Sequence, residues 1–163
     1  MERYHLAQVN IGLPLEPLES ERLRGFVEML DPINAIADVA PGFVWRLQTE
    51  DGDATAIRAF EDERLIMNMS VWESLEAFTS FVYGTEHAAV MRRRKQWFVT
   101  MQVYTCAWWI PAGTLPTPAD AVVRLDLLER LGPTADAFTV KRPFPPPGSS
   151  VTPEVREDWT CPA

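Results

Sequence analysis

Cysteine and histidine are scarce in this chain, and their scarcity narrows its chemistry. The two cysteines, Cys106 and Cys161, stand far apart, one in an apolar run and one near the C-terminal end. Neither has a neighbouring cysteine, which excludes a disulfide framework and a thiolate zinc site; both are expected to be free thiols of a reducing cytoplasm. The two histidines, His5 and His87, do not group with carboxylates at metal-ligand spacing, so no metal site is expected. A Gly-rich phosphate loop, a Gly-x-Ser-x-Gly elbow and a His-Glu-x-x-His motif are all missing, which leaves nucleotide, flavin and zinc chemistry without support. No apolar run reaches the roughly 18 residues of a membrane span, and no charged segment, apolar run and cleavage site mark a secretory signal at the N-terminus. Positive charge is short as well: 15 Lys and Arg stand against 23 Asp and Glu, for a net charge of -8. That field repels nucleic acid and anionic membrane surfaces, so neither is an expected partner and a cytoplasmic location is.

What remains is material for one domain. Of 163 residues, 47% are hydrophobic, enough for a single filled core. Residues 4–11 alternate as a strand, with His5, Ala7, Val9 and Ile11 on one face and Tyr4, Leu6, Gln8 and Asn10 on the other. A helix is predicted over 19–30 from Leu23, Phe26, Val27 and Leu30, interrupted at Asp31-Pro32 and resumed through Ile33, Ile36 and Ala37. A second strand, 43–49, separates Phe43, Trp45 and Leu47 from Val44, Arg46 and Gln48. A polar loop with the turn signal Asp51-Gly52-Asp53 leads to a third strand over 65–72. The segment from Arg64 to Phe98 then holds most of the candidate polar groups. It runs from that strand into a helix over 74–83, breaks at Gly84, and restarts at Thr85 as an Arg-rich helix reaching residue 100. A strand over 103–110, a helix over 118–131 and a fifth strand over 137–141 follow, completing a domain of residues 1–142. Residues 143–163 are a Pro-rich tail.

The order β-α-β-β-α-β with a helix-strand addition is the ferredoxin-like split βαβ pattern of an α+β fold. Its apolar strand faces (Ala7, Val9, Ile11; Phe43, Trp45, Leu47; Met67, Met69, Val71) are expected under the helices. The complementary face carries Gln8 and Asn10, Arg46 and Gln48, Asn68, Ser70 and Trp72, with Thr105 or Trp109. Polar groups on four strands are costly to bury unpaired, so they are expected to line a wet cavity closed by a second subunit.

The runs LAQVNIG, LDPINAIADVAPGFVWRLQ, NMSVWESLEAFTSFVYGTEHAAVMRRRKQWF and WWIPAG resemble the DUF3291 family, across residues 4 to 145. That family is placed in the dimeric α/β-barrel superfamily, beside antibiotic-biosynthesis monooxygenases, stress-responsive barrel proteins and haem enzymes related to chlorite dismutase. The resemblance implies a homodimer whose sheets form a barrel, with a pocket between each sheet and its helices or at the barrel mouth. It does not imply one reaction.

The spacing of Asn68 and Trp72 is similar to that of an Asn and a Trp in cofactor-free quinone-forming monooxygenases of that superfamily. An amide there would stabilise an enolate or peroxide and an indole would pack on an aromatic ring. His87, near a helix start where the dipole disfavours imidazolium, is the candidate general base. Arg46 is the candidate carboxylate or enolate binder; Asn10, Gln48, Tyr83 and Trp109 complete the expected substrate-binding set. The plainer alternatives are Asn68 as a strand-edge residue, Trp72 as core, His87 as structural and Arg46 as an ion pair across the dimer. Of Arg92, Arg93, Arg94 and Lys95, spread around a helix at 100° per step, only Arg94 is expected to point with His87. The functional expectation is a cofactor-independent tailoring enzyme, a monooxygenase or a proton-transfer cyclase or isomerase. Its substrate would be aromatic or polyketide-like, as in secondary metabolism. The alternatives are a haem enzyme with His87 as axial ligand, or a non-catalytic small-ligand-binding dimer.

Overall fold

Strand β1, Tyr4–Gly12, lies in the middle of the sheet and pairs antiparallel on both sides. Against β3, Ile66–Trp72, it sets Leu6 opposite Trp72, Gln8 opposite Ser70 and Asn10 opposite Asn68. Against β4, Thr105–Pro111, it sets Gln8 opposite Ala107 and Asn10 opposite Thr105. Strand β2, Phe43–Arg46, pairs with the far side of β3. The computed structural model describes residues 2–50, 52–55 and 58–155, and these form an α+β fold on a four-stranded antiparallel sheet in the order β2-β3-β1-β4. Cys161 and the distal part of the expected tail lie outside the described residues, as does Asp51 of the expected turn.

Four α-helices are described: α1, Arg24–Asp38; α2, Leu75–Gly84; α3, His87–Arg92; and α4, Pro118–Leu131. Helix α2 begins where Ser74 Oγ accepts from the Ala77 N–H at 3.1 Å, and it buries Leu75, Phe78, Phe81 and Val82. Helix α4 begins with a reciprocal cap between Thr117 and Asp120 and Pro118 in its first turn; it ends at Gly132 with φ +70°. Gly42 is required for a different reason. Its φ is +78°, and a Cβ there would lie 2.5 Å from the Ala77 Cβ of α2.

The apolar face lies under a helix, as expected, but the face expected to be free of helices carries three of them. Leu6 and Trp72 pack with Ala37 of α1 and Leu75, Phe78, Phe81 and Val82 of α2. Ile66 packs with Leu23, Trp97 and Phe98. The face that alternates with polar residues is therefore the one beneath α1, α2 and α3. The apolar face (Ala7, Val9, Ile11, Met67, Met69, Val71) packs instead on Ala121, Leu125 and Leu128 of α4, with Leu47, Phe60 and Leu65 against its rim. The polar groups thus face this chain's own helices rather than a cavity closed by a second subunit, and the opposite face is filled from within the chain.

Four further expectations are corrected. Helix α1 passes through Pro32 without a break, because the exposed ring forfeits one hydrogen bond while the stripe on both sides of it (Phe26, Ile33, Ala37) packs inward. A β-bulge separates Phe43 from Trp45, so Phe43 joins Trp72 while Trp45 joins the opposite face. The Arg-rich helix has six residues in α3 and three in a 3-10 turn, Arg94–Gln96. It stops there because residues 97–99 pair with residues 13–15 (Leu15 N–H to Trp97 O, 2.8 Å; Val99 N–H to Leu13 O, 2.9 Å). The fifth strand is a single bridge, Phe138 to Ala107, between tight turns at Thr134–Ala137 and Thr139–Arg142.

Candidate functional site

Between the polar sheet face and helices α1 to α3 lies a cleft of two joined chambers. The outer one, about 880 Å³ counted together with the open solvent at its mouth, is walled by Phe26, Met29, Leu30, Met91, Trp97 and Phe98, and the figure for the second chamber is counted in the same way. The deep one, of about 730 Å³, extends past Gln8, Ser70, Phe81, Val82 and Val140 to Trp72. Asn10, Ile33, Asn34, Asn68, His87, Met91 and Arg94 border both. The lining is an apolar hollow with a few placed polar groups, as ligand sites usually are.

The strand register assembles the polar floor. Asn10 and Asn68 face each other across β1 and β3, and Gln8 is one step further in, opposite Ser70. The Trp72 Nε1–H donates to Ser70 Oγ at 2.8 Å, and Gln8 Nε2 donates to the same oxygen at 2.7 Å and to Asn68 Oδ1 at 3.3 Å. Gln8 is 3% exposed, yet its Oε1 has no hydrogen-bond partner among the described residues. Trp72 is wholly buried, stacked on Phe81 at 5.1 Å with Phe43 and Phe78 on its other sides. It forms the end wall of the deep chamber as core and cannot slide over a ligand ring.

His87 enters from α3, half-buried, with its ring 5.0 Å from Phe81. Burial pushes its pKa down to about 4, against a smaller upward pull from the Val82 carbonyl, which accepts from the ring. The cause is desolvation; a helix of six residues has little dipole to contribute. The imidazole is therefore neutral, and its Nδ1 is buried without a hydrogen-bond partner among the described residues.

The cations near the cleft are engaged. Arg46, expected to bind an anion, clasps Asp38 through Nε (2.7 Å) and a terminal nitrogen (3.2 Å) and also donates to the Gly52 carbonyl. The ion pair anticipated across a dimer is thus made within the chain, tying α1 to β2 and the following loop. Arg94 donates to the Ile11 carbonyl at 2.6 Å, and its guanidinium lies over the rings of Phe98 and Tyr104. Arg94 borders the cleft beside His87, as the helical spacing suggested.

Of the residues singled out in sequence, Asn10, Asn68 and His87 come together at the junction of the chambers, with Arg46, Trp72 and Tyr83 in the deep wall. Gln48 and Trp109 do not join them. Gln48 is exposed beyond the end of β2, and Trp109 donates its Nε1–H to the Phe144 carbonyl at 2.8 Å. Sequence reasoning passed over Gln8 and Ser70 as site residues although it placed them on the right face. It missed Asn34, whose signal was an amide set beside Leu30 and Ile33 on an otherwise apolar stripe. Among the described residues no group of three His, Cys, Asp or Glu side chains could hold a metal ion. Cys106 is free and buried on the opposite face, and desolvation pushes its thiol up to about 12, which makes it a poor nucleophile. No helix among the described residues is long and apolar enough to cross a membrane.

A comparison with curated proteins finds no match. Among solved structures, the chain is similar to the crystal structure of NE2512, a protein of unknown function from Nitrosomonas europaea. The TM-score is 0.43 and the identity 12%, over 72% of this chain and 99% of that one, a likeness too slight to support any inference. The profile of the domain of unknown function DUF3291 matches residues 5–154, nearly the whole chain and every residue of the cleft. The chain belongs to the DUF3291 family.

Proposed function

We propose that this protein binds a small, largely apolar organic molecule in the cleft and moves a proton on it without a resident cofactor. The observation that carries this reading is the buried, unpartnered Nδ1 of His87 at the junction of the two chambers. A buried ring nitrogen left unpaired costs about 1–3 kcal/mol, and a substrate hydroxyl hydrogen-bonded there removes that cost. Asn10 and Asn68, side by side on the floor, stand to donate to an oxygen as negative charge develops on it. With a pKa of about 4 the imidazole is a weak base at neutral pH. Proton transfer is favoured when imidazolium and oxyanion form side by side, each stabilising the other. The resemblance to the dimeric α/β-barrel superfamily, with its cofactor-free monooxygenases, supports an aromatic or polyketide-like substrate. Oxygenation, cyclisation or isomerisation would follow the proton step. The test is deuterium exchange at the α-carbon of an aryl ketone, read by NMR, with oxygen uptake on a panel of phenols. His87→Ala should lower turnover about a hundredfold or more and Asn68→Ala about tenfold or more. Unchanged rates in both would overturn these assignments.

The low pKa of His87 favours a second reading, a binding protein without turnover, in which the same Nδ1 holds a ligand by a hydrogen bond. Ligand binding with no exchange and no oxygen uptake would select it. Haem fits the lining poorly. Arg46 is paired with Asp38, Arg94 is held by the Ile11 carbonyl, and Asp53 borders the outer chamber, so no cations are set for two propionates. A Soret band on the purified protein would reverse that conclusion. A homodimer, as the resemblance implies, is compatible with this reading without being required by it, since one chain supplies the whole cleft.

A further inference from the structure

We propose that the deep chamber is a hydroxyl-selective subsite in which Gln8 and His87 each take one hydroxyl group of a neutral ligand, with Gln8 as the specificity residue. The inference rests on the reading that the cleft holds a small molecule, and it names that molecule's chemistry. Both residues line the deep chamber, and both present a buried polar atom without a hydrogen-bond partner among the described residues: Gln8 Oε1 and His87 Nδ1. Two such atoms on one hollow call for two hydrogen-bonding groups from its occupant.

The Gln8 amide has a second possible orientation, because its oxygen and nitrogen are told apart only by their partners. As placed, Nε2 donates to Ser70 Oγ and Asn68 Oδ1 and the oxygen is unpaired. Reversed together with the Asn68 amide, the oxygen would accept from the Ser70 hydroxyl and the Asn68 nitrogen, and the Gln8 nitrogen would be the unpaired atom. A hydroxyl meets either case, since it both donates and accepts; an ammonium or an ether meets only one. Ser70 cannot fill the vacancy at Oε1 as well, because its Oγ sits between Nε2 of Gln8 and Nε1 of Trp72. At His87 the same holds: the neutral ring carries one N–H, and a hydroxyl meets the buried Nδ1 whether that nitrogen donates or accepts.

Charge selects in the same direction. An anion entering the deep chamber would find no charge on Gln8 or the neutral His87 and would find Arg46 already paired with Asp38, while Arg94, at the border, is turned to the Ile11 carbonyl and the Phe98 and Tyr104 rings. The ligand class that fits is a polyhydroxylated, uncharged ring system whose apolar body lies against Phe26, Met29 and Trp97 in the outer chamber.

The experiment is calorimetric titration of the full chain with naphthalene, naphthol, naphthalenediols of differing hydroxyl spacing, and naphthoate, a series of one shape. At least one diol should bind about tenfold or more tightly than naphthol, and naphthoate more weakly than naphthol. In Gln8→Leu the diol should lose that advantage over naphthol. Should Gln8→Leu fail to fold, the ranking in the unaltered protein still decides. Equal affinities for diol, naphthol and naphthoate overturn the subsite, since buried water alone then satisfies Gln8 and His87. Failure of the whole series to bind overturns the small-molecule cleft itself, and this inference with it.

Discussion

His87 is a residue whose environment changes its chemistry. Its pKa is held near 4 in the folded chain and returns to the ordinary 6.5 on unfolding. As pH falls from 6.5 towards 4 the unfolded chain takes up a proton that the folded chain refuses, so stability declines across that window and is unaffected above it. The full loss is about 3 kcal/mol. Denaturant titrations from neutral pH to pH 4 should show that slope, and His87→Gln should flatten it whatever its effect at neutral pH. Arg46 is a contrasting case. Its guanidinium grips Asp38 in a two-point ion pair, 11% and 43% exposed on the two sides. Discounted for that exposure, Arg46→Ala should cost about 1–2 kcal/mol in chemical denaturation and leave ligand affinity nearly unchanged. A larger effect on affinity than on stability would return Arg46 to the role expected from sequence. Both residues were conspicuous in the sequence. Their roles were not, because a free pair of lone electrons and a committed guanidinium are facts about neighbours distant in the chain.

At the scale of elements, boundaries made by local contacts were legible and those made by distant ones were not. The Thr117, Pro118 and Asp120 sequence marks the start of α4, and Ser74 that of α2, because a cap is settled within four residues. Thr117→Ala removes two of those bonds and should lower the free energy of unfolding by about 1 kcal/mol, measurable in urea; no change would mean α4 is held by packing alone. The end of the Arg-rich helix was hidden, since what stops it is pairing with residues 13–15, some eighty positions earlier. Pro32 misled in the opposite direction. A proline is a break in isolation, but helix α1 is bound to the sheet on both sides of it.

For the whole molecule, the decisive feature is that α4 covers the apolar sheet face. With that face filled, the cleft between the sheet and α1 to α3 is complete in one chain. A bound ligand should therefore titrate at one per chain, with an affinity independent of protein concentration across any monomer–dimer equilibrium. Half-site stoichiometry, or affinity lost on dilution, would show that a second subunit completes the site.

The sequence alone determined the four strands of the sheet to within a few residues and the grouping of Gln8, Asn10, Asn68, Ser70 and Trp72 on one face of β1 and β3, because side-chain alternation is fixed by backbone geometry. Only the tertiary structure decided which helices lie over which face, and hence that the polar side is an internal cleft. Covering a face is a long-range choice between competing apolar surfaces, and α4, which settles it here, follows the last strand of the sheet.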